Sequence, residues 1–501
     1  MVRPSLRPQA LLQARPSLPL ASLPSKHMRP ASLSAASLLA LLSSSPAAGV
    51  SLGLNFSASD STLANSGFIP PDTMGAVGPN HIMVLLNGRA SVYNKSTGTL
   101  VGSGKSLNQF WTDAGATPSG SFAFDPRVVY DKDSGRWFAV SADNAGGANN
   151  FLFAVSATSD PSGSWKALKI DSDTANTRFA DFPTLGVDKQ GVYLTANMFP
   201  VGAGTVDITI MSLPKADLLL PTPSVASKSE FQLVGLSRGF AIQPAINFSS
   251  SADNKAELLG MSVNTSDLIR TDILNPATAG ATLSSPTTIA NTSFDPPTAD
   301  QPGTAANFHT GDRRFAVNTV VSNGSLWAVH GTSVSGRAAV EWLRINPVTN
   351  TIIQSGVISD PSLSFFFPSI AVNEFHQVLI GFSGSSDSTF GSSYYAFGET
   401  SGNITSFTPV SQAKAGSAQY EVLDGSGRNR WGDYSATVVD PVNPYDFWTF
   451  QLFAPSTNNW QVQVTQLHAP VSPVPEPAAA ASLILTTTAG FLTVSRRRRR
   501  A

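Results

Sequence analysis

The sequence predicts an all-β chain folded as a β-propeller of six or seven four-stranded blades, and three observations lead there. Charged residues are only 13% of the 501 residues, while Gly (39) and Pro (35) are abundant, which suits short strands joined by many turns. From Gly67 onward, blocks rich in Val, Phe, Tyr and Leu alternate with Gly, Asn, Asp and Pro. The blocks return in a common plan whose starts lie roughly 50 to 70 residues apart, longer than the ~40 to 50 of familiar propeller repeats but compatible with loop insertions. One four-stranded sheet leaves two edges and an apolar face unsatisfied, whereas a closed ring of sheets buries the faces and protects the edges. A pair of β-sandwich domains is the competing architecture.

Residues 1–27 show no usable periodicity and read as an untranslated or disordered extension. Residues 28–48 have the layout of a secretory signal: Met28 and Arg29, an apolar run from Ala31 to Leu42, and small residues ending in Ala47 and Ala48 at a cleavage region. Residues 49–66 read as a linker and 67–468 as the propeller. The clearest unit is Asp125 to Asp131, Asp133 to Val140, Phe151 to Ser156 and Trp165 to Leu168, with Gly135 in its first tight turn. The same plan appears earlier at Asp72 to Gly78 and later from Asp181, Gln243, Arg314, Phe367 and Asp433. Stretches 213–235 and 265–310 are rich in Thr, Ser and Pro and leave the blade count soft.

A net charge of −1 points to no nucleic acid partner. With no cysteine, disulfides, Cys-ligated zinc and thiol catalysis are excluded, and stability rests on a packed core. In a propeller the innermost strands bring their first residues to one channel mouth. Asp72, Asp125, Asp181 and Asp433 sit at such starts; a ring of carboxylates there would take Ca²⁺ or sugar hydroxyls, while the plainer role of each is to accept hydrogen bonds from its own turn. Arg127, Arg314 and Arg430 lie near the same starts and complete the candidate ligand pocket. Histidines are scattered singly without zinc-ligand spacing, and no nucleophile elbow or P-loop is present, so no catalytic or metal residue is assigned. Strand-borne Trp111, Trp137, Trp327, Trp431 and Trp448 are expected to pack between blades.

The C-terminus is the most specific stretch. Residues 469–477 form a linker ending in Pro475, Glu476 and Pro477, followed by an apolar segment, 478–495, with no charge before Ser495, and a basic tail, 496–501, containing Arg496, Arg497, Arg498, Arg499 and Arg500. As a helix with roughly 1.5 Å rise per residue, the apolar run would reach about 25 Å, just enough to span a bilayer. The arginines favour the cytoplasmic side, which places the body on the other face, in agreement with the signal segment.

This combination of Pro-Glu-Pro, one apolar span and terminal arginines resembles the sorting tail of PEP-CTERM proteins, which are processed by an exosortase. The resemblance covers about the last thirty residues. It implies recognition by an exosortase-type membrane protease, transient inner-membrane anchoring by the apolar segment, and release to the cell surface or an extracellular polysaccharide matrix.

A second resemblance, carried by Pro70 to His81, Asn87-Gly88, Asp125-Pro126, Asp181-Phe182-Pro183, Trp431 to Ser435 and Phe447-Trp448, is to bacterial secreted sialidase-like propellers. It implies a fold and an exported context. The Tyr-Glu pair and separate acidic Asp of sialidases are not located, and their Ser-x-Asp-x-Gly-x-Thr-Trp box is missing. The expectation is a non-catalytic exported propeller binding an extracellular glycan or protein, with a glycoside hydrolase or lyase and a permanently anchored structural protein as alternatives.

Overall fold

The computed structural model describes residues 49–471 apart from residue 121 and residues 250–253. The expected signal segment with Ala47 and Ala48, the apolar segment, and the tail from Pro475 to Arg500 lie outside the described residues. Among the described residues no helix is long and apolar enough to cross a membrane.

The expected four-strand unit is present as Ala123–Asp131, Arg136–Asp143, Asn150–Ser156 and Trp165–Asp171, an antiparallel meander whose first strand is fully buried. Sheets of the same plan begin at Met74–Val77, Phe240–Pro244, Ser364–Val372 and Ala436–Val439. Five sheets therefore stand as separate four- or five-stranded blades, where six or seven were expected. Of the remaining strands, Phe308–His309 pairs in parallel with Asn429–Arg430 as a separate two-stranded ribbon, and nine merge into one sheet. The cause lies at the axis, where Ile246–Asn247 pairs in parallel with Val187 on one side and with Val320 and Val321 on the other. That short bridge fuses the meander of Arg178–Val187 to that of Val320–Ser322.

The ring closes through a strand the sequence did not mark. Residues 49–66 were expected as a linker, yet Ser51–Thr62 is the outer strand of the last sheet and pairs with Gln461–His468, Ser51 lying opposite His468. Its alternation of small polar and apolar residues hides the strand: Asn55 Oδ1 accepts from Gln463 and Thr465, and Ser57 donates to Gln463. Pairing first and last strands removes the free edge that an open ring would expose.

The inner strands share a backbone device. Asp72, Asp125, Phe182, Ala241 and Phe367 all have φ between 49° and 55°, and the last four coincide with a register shift in their ladder. Each is a one-residue bulge with a non-glycine residue in the left-handed region, which costs roughly 1–2 kcal/mol and needs compensation. The compensation comes from the neighbouring sheet. Side chains two residues beyond a bulge donate to a carbonyl of the next inner segment: Arg127 to Pro183 O, Thr184 to Ile242 O, and Gln243 to Phe315 O. By this spacing Arg314 occupies the position held elsewhere by Asp125, Phe182 and Ala241. Its segment was expected as a strand, but the ladder there begins only at Val320; the carbonyls of Phe315 and Ala316 accept from the side chains of Gln243 and Arg127. The five expected packing tryptophans are buried.

Candidate functional site at the channel mouth

The bulges carry their side chains to one end of the central channel, in two layers. The inner layer is a hydrogen-bonded relay from sheet to sheet. The Asp433 N–H donates to Asp72 Oδ1 at 2.8 Å, Asn87 Nδ2 donates to Asp72 Oδ2 at 2.7 Å, the Asp125 N–H donates to Asn87 Oδ1 at 2.8 Å, and the Phe182 N–H donates to Asp125 Oδ2 at 2.9 Å. Every donor in this chain belongs to a different strand or loop from its acceptor, so the relay fixes the angular spacing of the sheets.

Arg127 fills the centre. Its Nε donates to Pro183 O at 3.0 Å and one terminal nitrogen to Ala316 O at 2.9 Å, while its guanidinium lies 3.5 Å from the Tyr434 ring centroid and 4.9 Å from that of Phe182. Tyr434 in turn donates to Pro126 O at 3.0 Å. Arg127 and Tyr434 are almost wholly buried, so this guanidinium fills the channel beneath the mouth, one terminal nitrogen remaining buried without a hydrogen-bond partner among the described residues.

The outer layer is half-exposed at Asp312, Arg314 and Asp433, while Arg430 behind them is buried. Arg430 donates to Asp433 Oδ1 at 2.6 Å, Arg314 forms a bidentate pair with Asp312, and Asp433 lies within the field of both arginines. Arg314 also faces the rings of Phe240, at 5.1 Å, and Phe182, at 5.8 Å. Beyond it Phe240 meets Phe199 edge to face at 6.5 Å, and Phe199 meets Phe179 at 6.0 Å; these three rings are half-exposed. Two buried donors or acceptors in this layer have no hydrogen-bond partner, His309 Nδ1 and Arg430 Nε.

The electrostatics separate the two layers. Asp72 is pushed well above the ordinary aspartate range, by burial first and then by the Asp433 and Asp125 carboxylates. Burial also opposes ionisation of Asp433, but Arg430 and Arg314 outweigh it and hold that carboxyl low. Burial and the nearby Arg430 push His309 down, so its imidazole is neutral at neutral pH. Burial likewise pushes Tyr434 well above the phenol range, and its hydroxyl is engaged as a donor.

All seven sequence candidates meet at this end, though not in one role. Asp72, Asp125 and Arg127 form the buried layer; Arg314 and Asp433 form the accessible one, with Arg430 buried behind Asp433. Asp181 was grouped with the other aspartates as a strand start, but it precedes the Phe182 bulge by one residue, and an offset of one reverses the side of a strand. Asp181 contributes instead to the field at Arg314.

A Ca²⁺ ring does not fit these residues. The oxygens of Asp72 are taken by N–H donors, one Asp125 oxygen accepts from Phe182, and Asp433 faces arginines. Among the described residues no group of three or more His, Asp or Glu is arranged to hold a metal. Sequence reasoning passed over Asn87, Asp312, His309 and the ring of Phe179, Phe199 and Phe240. The Asp-Arg-Arg spacing of residues 312–314 was the available sign for Asp312. Nothing local marks the phenylalanines, which come from three strands.

No protein-family model matches this chain, and no curated protein matches it. Among solved structures, it is similar to the extracellular domains 1–2 of Drosophila Semaphorin 1b, at TM-score 0.39 and 7% identity over 83% of this chain and 88% of that one. It is similar to a subtype N10 neuraminidase-like protein of A/little yellow-shouldered bat/Guatemala/060/2010, at TM-score 0.37 and 6% identity over 66% of this chain and 94% of that one. It is also similar to Trypanosoma rangeli sialidase in complex with sialic acid, at TM-score 0.34 and 9% identity over 73% and 56% of the two chains. Likeness at this level carries no argument about activity, and the propeller assignment rests on the sheet order described above.

Proposed function

We propose that this chain is an exported, non-catalytic β-propeller that binds an extracellular glycan at its channel mouth. The observation that supports the reading most is the adjoining of half-exposed Arg314 and Asp312 to the ring ledge of Phe240, Phe199 and Phe179. Fixed donor and acceptor pairs beside aromatic faces suit a polyhydroxylated ring, whose hydroxyls need both kinds of partner and whose C–H face needs an apolar one. The groups that acid-base chemistry would use are badly placed for it: Asp72 and Tyr434 are buried, and Asp433 is held ionised between arginines.

The signal-like segment 28–48 and the Pro475-Glu476-Pro477 tail support export, transient anchoring in the inner membrane, processing by an exosortase-type protease, and arrival at the cell surface or extracellular polysaccharide. Glycan-array binding by the full-length protein tests the ligand class: Phe240→Ala and Arg314→Ala are expected to lower the signal about tenfold or more. Robust glycoside turnover by the wild type would replace this reading with the hydrolase or lyase alternative. Glu476→Ala in a host with an exosortase tests the address. A wild-type mature mass that still includes residues 478–501, with the variant differing only by its substitution, would favour a permanently anchored surface protein.

A further inference from the structure

The opposite end of the channel is built differently. There the inner strands enclose a cavity of about 650 Å³, within the roughly 300–1,000 Å³ range of small-molecule sites. Its wall is mainly aliphatic, with Val77, Val128, Val317, Ile370, Val372 and Val438 drawn from five different inner segments, and Asn318 and Thr437 set among them. Its rim carries two exposed lysines on one side, Lys132 and Lys189, with half-buried Phe248 beside Lys132 at 5.6 Å. Lys132 also approaches the exposed side of Asp133 at 3.1 Å, whereas Lys189 has no ion pair within the described residues. The acidic rim residues Glu374 and Asp440 are on other sheets, and Asp440 is occupied by Lys95 at 2.6 Å.

We infer that this cavity binds a single-chain amphiphile with a carboxylate head, its alkyl chain inside the aliphatic channel and its head at Lys132 and Lys189. The polar members of the inner wall are spent within the protein, Asn318 donating to Leu185 O and the Thr437 hydroxyl sharing bonds with Ser369 and Thr449, which favours an alkyl chain over a sugar; the one-sided lysines favour an anionic head. The chain direction gives such a ligand a source. Ser51 lies opposite His468 and the inner strands end at the cavity, so the described body is entered and left at the cavity end. The apolar run 478–494 follows Val471 by only a few residues. This last point rests on the tail reading; the cavity and its lysines do not.

The test uses the full-length protein in phosphatidylcholine vesicles with a diazirine-bearing dodecanoate as photoprobe, digestion, and mass mapping of labelled peptides. Label is expected on the peptides carrying Val320 and Val438, both half-buried in the cavity wall, and is suppressed by excess dodecanoate but not by dodecylamine. Val320→Trp and Val438→Trp each project a ring into the open space and are expected to reduce labelling about tenfold. Lys132→Glu with Lys189→Glu, both on the surface, reduces it several-fold without touching the core. Label confined to residues 478–494, equal competition by dodecylamine, or unchanged labelling in the lysine double variant would overturn the proposal. The Glu476→Ala mass measurement reports separately on the tail.

Discussion

The two ends of the channel use the same inner strands for opposite purposes. At the mouth, equivalent bulge positions hold Asp72, Asp125, Phe182, Ala241, Arg314 and Phe367, so the backbone repeats while the side chains diverge. At the far end the inner strands present mostly Val, Ile and Ala, with Asn318 and Thr437 among them. A repeat that diverges only where side chains reach solvent or one another at the axis has placed its specificity there, and the uniform end keeps the ring round. Arg127 and its partners mark the boundary between the two.

Breaking that boundary should have the largest effect. Arg127→Ala removes two buried charge-assisted bonds to carbonyls and the filler beneath Tyr434, with an expected loss of about 3–5 kcal/mol in urea unfolding. A loss below about 1 kcal/mol would show that the ends do not depend on this plug. Asp72→Ala orphans the Asp433 N–H and the Asn87 amide, for an expected 2–4 kcal/mol or so, and Asp72→Asn should cost roughly half as much because one acceptor survives.

The pH dependence sharpens the comparison within the mouth itself. Folded Asp72 holds its proton more tightly than the unfolded chain does, so its contribution to stability falls as pH rises from the ordinary aspartate value through the raised one. Asp433 behaves oppositely: its contribution is present above the ordinary value and is lost as pH falls through the lowered one. Unfolding free energies measured from pH 3 to 8 should therefore show Asp72→Asn gaining on the wild type as pH rises. Asp433→Asn should show a weaker acid-side decline than the wild type.

The smallest expected effect belongs to the backbone alone. Ala241 holds φ at 49° in a buried bulge, so Ala241→Gly should raise stability by about 0.5–1 kcal/mol through relief of the left-handed conformation. A loss of similar size would mean that the methyl group's packing outweighs the relief.

Much of the fold was legible because strand character is local. Asp125 to Leu168 shows its four strands through short runs rich in Val, Phe and Leu and a Gly135 turn, and the structure has them. The candidate aspartates and arginines were legible because strand starts converge in any closed ring, although Asp181 shows that a start read from sequence can miss the register by one. The closing strand Ser51–Thr62 was not legible, since its small polar residues gain meaning only against Gln461–His468, about four hundred residues away.

The sequence by itself determined the class, the meander plan and the pool of charged residues, all of which follow from neighbours along the chain. Only the tertiary structure decided which aspartate stays buried, which arginine plugs the channel and which remains available. Those outcomes depend on bonds such as Asp433 to Asp72, separated by 361 positions, and such pairings are set by ring closure, with no local signal to announce them.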